Sequence, residues 1–148
     1  DPDLTAAGRA RAEELAVVLA QFPLQAVIVS EYRRTQQTAE PTTAARHLTP
    51  IVVQVSGDAG TGATAVSAAL GRLPAGSAAL VVGHSNTLGP IIAALGGPRI
   101  PDLCDGEYAT LFLLELPGAE QPARLLRASY GTADSPDVVD CSRRMQPQ

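Results

Sequence analysis

The chain has 148 residues, 45% of them hydrophobic and only 18% charged, which is the size and polarity of one globular domain with room for a core. Its net charge of −4 and the lack of a basic stripe exclude a nucleic-acid binder, because phosphate backbones are held by clustered cations. Apolar stretches of about half a dozen residues fall far short of the ~20 that a membrane-spanning helix needs.

The first residues are Asp1-Pro2-Asp3 with no initiator Met, which reads as a processed or truncated start. Thr5 is a ready N-cap, and Leu4, Ala12, Leu15, Val18 and Leu19 recur at helical spacing until Pro23, predicting a first helix. Ala26-Val27-Ile28-Val29 is a short β-rich run that predicts a buried strand ending at Ser30. Residues 31–46 read as a second helix, kinked or divided at Pro41, and 51–55 as a second strand. A glycine-rich loop is expected over 57–62, followed by a helix over 63–73, a strand over 79–83 and a helix over 88–95 closed by Gly96-Gly97-Pro98. Residues 109–116 and 124–129, separated by Pro117-Gly118, have the pattern of a β-hairpin or of neighbouring strands. After Gly131 the chain is polar, contains Pro and offers nothing to pack. Short apolar strands alternating with helices predict a single α/β domain, a three-layer α/β/α sandwich with a mainly parallel sheet.

In an open α/β sheet, ligands sit beyond the carboxyl ends of the strands. Two segments occupy that place: Ser30-Glu31-Tyr32-Arg33-Arg34-Thr35-Gln36-Gln37-Thr38-Ala39 and Gly83-His84-Ser85-Asn86-Thr87. Each joins a strand to a helix N-terminus, whose free N–H groups and positive dipole end favour an anion. An Arg and a His in those positions suggest a phosphate.

Rival constellations fail on chemistry. Gly83-His84-Ser85-Asn86-Thr87 resembles a nucleophile elbow with Thr87 in place of the final Gly, but both histidines, His47 and His84, come before or directly beside Ser85, whereas the base should follow it. Gly57 to Thr64 fits a phosphate-loop spacing, yet Ala63 stands where the lysine should be, and all eleven basic residues are Arg. The same stretch fits a loose dinucleotide fingerprint, but the next strand ends at Gly83-His84 instead of an acid. No His or Cys pair has metal-ligand spacing. Cys104 and Cys141 either remain free or form one disulfide tying down the stretch after Gly131; a bridge would place the protein outside the cytoplasm, free thiols inside it.

Taken together, Asp3-Leu4-Thr5-x-x-Gly8-x-x-x-Ala12, Ser30-Glu31-Tyr32-Arg33-Arg34-Thr35-x-Gln37-Thr38-Ala39 and Val81-Val82-Gly83-His84-Ser85-Asn86-Thr87 resemble the histidine phosphatase superfamily, the phosphoglycerate mutase-like fold, in order and in spacing. The likeness runs from Asp1 to about Gly131, leaving 132–148 as a flexible tail, and looks closest to small bacterial phosphohistidine phosphatases. It implies a phosphate pocket of two Arg and two His, one His being transiently phosphorylated, with no metal or other cofactor. Arg34 would be the second pocket Arg and His84 the second pocket His, both catalytic, with Ser85 and Asn86 binding His84 or substrate. The partner implied is a phosphorylated small molecule or a phosphoprotein. The family's nucleophile lies in an Arg-His-Gly or Arg-His-Ala motif that ends its first strand, upstream of the Leu-Thr-x-x-Gly helix, and residues 1–148 contain neither tripeptide. Arg46-His47 has the dipeptide but in the wrong order along the fold, where a His at a helix C-terminus interacts with the dipole. Asp58 lies in the region of the general acid, though a solvated loop Asp fits it as well. The expected activity is a metal-independent phosphatase acting through a phosphohistidine, with this chain catalytically incomplete. The alternative is a non-catalytic phosphate-binding or interaction domain.

Overall fold

The computed structural model describes residues 1–118 and 120–144. Its centre is β1 (Leu24–Ser30), whose last five residues are all buried. β1 pairs in parallel with β2 (Ile51–Val53) on one side and with β3 (Ala78–Val82) on the other. A parallel strand with helices on both faces must be apolar in both directions, which is why Ala26 to Val29 shows no polar alternation. Val27 and Val29 join Leu15 and Leu19 of α1 (Ala6–Leu19) and Ala39 of α2 (Arg33–Arg46) in one core layer. Ile28 faces the opposite layer, with Val53, with Ala63, Val66 and Ala69 of α3 (Ala59–Gly71), and with Ile91 of α4 (Leu88–Ala94). The three layers expected from the alternation of strands and helices are present.

β4 (Thr110–Glu115) and β5 (Arg124–Ser129) form an antiparallel hairpin. Leu111 packs on the α1–α2 core together with Val82 of β3. On the other face, a Cβ placed on Gly97, just past α4, would stand 3.1 Å from Leu114 Cδ1. The hairpin therefore lies between the same two layers as β3, yet among the described residues no ladder joins β3 to β4. Each of these strands keeps an unpaired edge, and every β3 residue except Leu80 is only half-buried. Among the described residues no helix is long and apolar enough to cross a membrane.

Local chemistry explains where elements begin and where they depart from expectation. Thr5 caps α1, its Oγ1 accepting the Gly8 N–H at 3.1 Å. α2 starts at Arg33 and passes through Pro41 undivided. The expected loop over 57–62 is instead the start of α3, because the Asp58 carboxylate accepts the Thr61 N–H at 2.8 Å and caps a helix that opens at Ala59. Glycine at 62 answers a packing demand, since a Cβ there would lie 2.9 Å from Val55 Cγ1. Residues 132–144, expected as a tail, carry α5 (Pro136–Arg144), and a disulfide joins Cys104 to Cys141. Arg11 Nη1 donates to the Thr132 carbonyl at 2.7 Å, and Glu14 accepts the Thr132 N–H at 3.2 Å, fixing this segment against α1. Residues 145–148 of the expected tail lie outside the described residues.

Two glycines of α3 separate packing from propensity. Gly62→Ala is expected to lower stability by about 1–3 kcal/mol through overpacking against Val55, whereas Gly71→Ala, with nothing within 4 Å of its Cβ position, is expected to raise stability by up to about 1 kcal/mol. Urea denaturation of the two variants checks the pair, and equal effects of one sign would contradict this account.

Candidate functional site

β1 and β3 are neighbours and point the same way, so the segments that follow them emerge side by side. Val29 pairs with Val82, placing Ser30 next to Gly83 and His84 although Ser30 and His84 are 54 positions apart. Ser30 Oγ lies 2.8 Å from His84 Nε2 and 2.9 Å from Thr35 Oγ1. It also accepts the Tyr32 N–H at 3.3 Å. Ser30 and Thr35 are both buried, so this hydroxyl pair is a fixed polar support for one ring nitrogen of His84 and leaves Nδ1 for other partners.

The loop that carries His84 is equally constrained. Thr87 Oγ1 accepts the His84 N–H at 2.8 Å, and the N–H groups of Thr87 and Leu88 donate to the His84 carbonyl at 3.0 and 3.2 Å. Gly83 permits the tight exit from β3, because a Cβ there would meet Leu88 Cδ2 at 2.9 Å and Thr87 Oγ1 at 3.0 Å. Ser85 and Asn86 are exposed, and among the described residues their side chains make no hydrogen bond.

Arg34 approaches the same place from the first turn of α2. Its guanidinium carbon stands 4.6 Å from the centroid of the Tyr32 ring, and that ring meets His84 edge-on with centroids 5.3 Å apart. Tyr32 thus touches both groups, the Arg34 guanidinium over its π-face and the His84 imidazole in a T-shaped contact. The Arg34 guanidinium also faces Asp1, with Nη1 3.6 Å from Oδ1, and Asp1 Oδ2 accepts the Arg33 N–H at 2.8 Å. A carboxylate therefore occupies the N-terminal end of α2, the position that free N–H groups and an Arg make favourable for an anion. Arg33 pairs instead with Asp3 at 2.6 Å, and the Gln37 side chain ties the Asp3–Leu4 segment to α2 through the Leu4 N–H at 2.7 Å.

Burial lowers the pKa of His84 below the ordinary value of 6.5, the Arg34 charge lowers it further, and the Glu31 charge opposes them. Burial also pushes the Glu31 carboxyl upward, but the N–H groups of Val55 and Ser56, each donating to it at 2.9 Å, outweigh this, and the net direction is down. Glu31 is thereby a clamp between the end of β1 and the chain leaving β2.

The sequence motifs singled out Arg34 and His84, and both stand at this end of the sheet. They did not single out Tyr32 between them, the Asp1 contact or the Glu31 clamp. The signal for Ser30 was present in its place four residues before Arg34. His47 lies elsewhere, as the left-handed residue that ends α2 (φ 54°), and Asp58 serves as the cap of α3. Among the described residues no group of three or more His, Cys, Asp or Glu converges as a metal site.

Residues 1–55 match the family model of the histidine phosphatase superfamily (branch 1). This stretch contains the Leu4-Thr5-x-x-Gly8 helix and the Ser30-to-Ala39 segment, so the resemblance carried by those motifs is to this superfamily. A solved structure described as mycobacterial hydrolase 2 is 17% identical, covers 96% of this chain and 86% of its own, and superposes with a TM-score of 0.63. At that identity the likeness is one of fold, and it agrees with the phosphoglycerate mutase-like sandwich. No curated protein matches the chain significantly.

The perturbation of His84 has a testable sign. Because the folded-state pKa lies below 6.5, the unfolded chain takes up more protons in that window; the stability linked to neutral His84 is present above 6.5 and is lost as pH falls through the folded value. Arg34→Gln removes one cause and is expected to raise the His84 pKa, read from the imidazole resonances in an NMR titration. An unchanged or lowered value would contradict the placement of Arg34.

Proposed function

We propose that this chain is the phosphate-binding body of a metal-independent histidine phosphatase that acts on phosphomonoesters or phosphohistidine. The observation that supports this best is the placement of Arg34 and His84 beyond the carboxyl ends of two adjacent parallel strands, with the Tyr32 ring between them. The guanidinium supplies a fixed pair of donors, and His84 supplies a donor whose charge rises when a phosphate dianion binds. Ser85 and Asn86, exposed on the same loop, are assigned to substrate contact.

In the reaction proposed, a nucleophilic His forms a bond from its ring nitrogen to phosphorus while the bond from phosphorus to the ester oxygen breaks. The departing oxygen, or the nitrogen in the case of phosphohistidine, takes a proton. Water then attacks the phosphohistidine and releases inorganic phosphate. Charge on the equatorial oxygens is highest during each transfer, which is where Arg34 and protonated His84 act. Neither residue is the nucleophile in this scheme. The scheme assigns the nucleophile to an Arg-His-Gly or Arg-His-Ala strand, a tripeptide not found in residues 1–148, and the unpaired edges of β3 and β4 between two shared helical layers are suited to pair with such a strand.

Sulfate is a suitable binding probe because its charge is constant across the neutral range. Its affinity is expected to increase as pH falls through the titration of His84, and His84→Ala is expected to abolish that dependence. Arg34→Ala is expected to weaken binding by about 1.5–3 kcal/mol, roughly ten- to a hundredfold, by isothermal titration calorimetry. Binding unaffected by either change would overturn the site.

Turnover is expected to separate from binding. Residues 1–148 alone are expected not to hydrolyse p-nitrophenyl phosphate, and an added upstream strand ending in Arg-His-Gly is expected to confer hydrolysis that resists EDTA. EDTA-resistant hydrolysis by residues 1–148, lost in His84→Ala, would instead make His84 the nucleophile. Anion binding without hydrolysis in the extended chain would favour the non-catalytic phosphate-binding domain.

A further inference from the structure

The disulfide between Cys104 and Cys141 stands outside the chemistry described above, yet Cys104 follows directly on the residue that braces the His84 loop. The Leu103 N–H donates to the Ser85 carbonyl at 3.0 Å. Upstream, the backbone passes against the first turn of α4, where a Cβ on Gly89 would come within 2.8 Å of the Ile100 carbonyl oxygen. Downstream, the Asp134 carboxylate accepts the N–H groups of Tyr108 and Ala109 at 3.1 Å. Between these two anchors, residues 101–107 are held to the rest of the molecule by few contacts, and the disulfide is the one covalent contact among them.

Its partner element is weakly held by everything else. α5 has nine residues and none of them is buried, and a helix of that length has little stability of its own. A polar bridge runs parallel to the disulfide: the Glu107 carboxylate accepts the Cys104 N–H at 3.2 Å and pairs with Arg127, which in turn contacts Ser142 Oγ on α5. Glu107 is nearly fully buried, whereas Arg127 is partly exposed. Both cysteines are half-buried, so a small thiol reaches them more readily than it would a core disulfide.

We propose that Cys104–Cys141 is a thiol–disulfide exchange site, with a dithiol reductant as its reactant, and that its oxidation state sets the order of the Gly83–Thr87 loop through the Leu103–Ser85 hydrogen bond. A thiolate of the dithiol attacks one sulfur of the bridge, forming a mixed disulfide and releasing the other cysteine as a thiolate. The second thiol of the reductant then displaces the remaining cysteine. Two electrons and two protons pass to the protein, which ends with two thiols, and the dithiol ends as a disulfide. Reduction leaves α5 held by the Arg127–Ser142 contact and residues 101–107 held, between their anchors, by the Leu103–Ser85 hydrogen bond and the Glu107–Arg127 pair alone. The consequence for anion binding rests on the function proposed above, while the consequence for the loop does not.

Amide hydrogen exchange on residues 1–148, resolved by NMR, tests this directly. On reduction with dithiothreitol, exchange at Leu103 is expected to accelerate by roughly tenfold or more, while Tyr108 and Ala109 change little, and reoxidation is expected to restore it. The Cys104→Ser, Cys141→Ser double variant is expected to behave as the reduced protein, which separates loss of the bridge from any other effect of the reagent. If that variant does not fold, reduced wild-type protein decides the question alone. Sulfate affinity is expected to fall by about two- to tenfold on reduction, the worth of one neutral hydrogen bond. Faster exchange throughout α5 with Leu103 unchanged would overturn the proposal, reducing the bridge to a staple for the helix. Equally accelerated exchange at Val27 and Ile28 would also overturn it, since the effect would then be global unfolding. A response at Leu103 in a protein that binds no sulfate in either state would uphold the tether and reject the phosphate site.

Discussion

The parallel pairing of β1 with β3 is the constraint on which the site depends. It is available only because Val27, Ile28 and Val29 are covered on both faces, by α1 and α2 on one side and by α3 and α4 on the other. A shift of one residue between the strands would exchange the two faces of β1 and place Ile28 in the wrong layer. The same register sets Ser30 beside His84, so core packing and site geometry are specified together. Once the apolar layers lock the strands, the buried Ser30–Thr35 hydroxyl pair needs no further element to reach the imidazole.

The site at this end of the sheet is polar but not undetermined. His84 is held through its backbone N–H by Thr87 and through its ring by Ser30, and Arg34 is held between Tyr32 and Asp1. Such support from hydroxyls and an aromatic ring costs little in desolvation compared with buried ion pairs. It also leaves the Arg34 charge only partly matched, by Asp1 at 3.6 Å, and keeps the His84 imidazole, its pKa lowered by burial and by Arg34, able to take up a proton. The Asp1 carboxylate sits where that anion would be favoured and must yield to any ligand that takes both the α2 N-terminus and Arg34.

Much of this was legible in the amino-acid sequence because β-branched runs, glycine and proline act locally. Ala26 to Val29 signalled a buried strand through residue type alone, and Thr5 signalled the start of α1. Arg34 and His84 could be singled out because each follows an apolar strand and begins a helix. The misreadings had two sources, a local cap that outweighed glycine content and contacts between residues distant in the chain. Gly60 and Gly62 looked like a loop, but the Asp58 cap and the close approach of Val55 make them helical. Of the kink or division that Pro41 offered, the division is absent, since α2 runs through it with Thr35, Ala39, Thr42 and Thr43 buried on one face. The stretch after Gly131 looked unpacked because Arg11 and Glu14 lie far away in the chain and periodicity carries no information about such pairs, whereas its bridge to Cys104 was one of the two alternatives the cysteine count left open.

The Glu31 clamp has a meaning for solubility as well as for the site. β2 lies at the outer edge of the parallel sheet, with Ile51 38% and Val52 49% exposed, and an apolar strand edge of this kind is a template on which a second chain can add. Its length is the safeguard. By drawing the N–H groups of Val55 and Ser56 toward the end of β1, the Glu31 carboxylate turns the chain away from the sheet after Val53, so the edge presents only three residues.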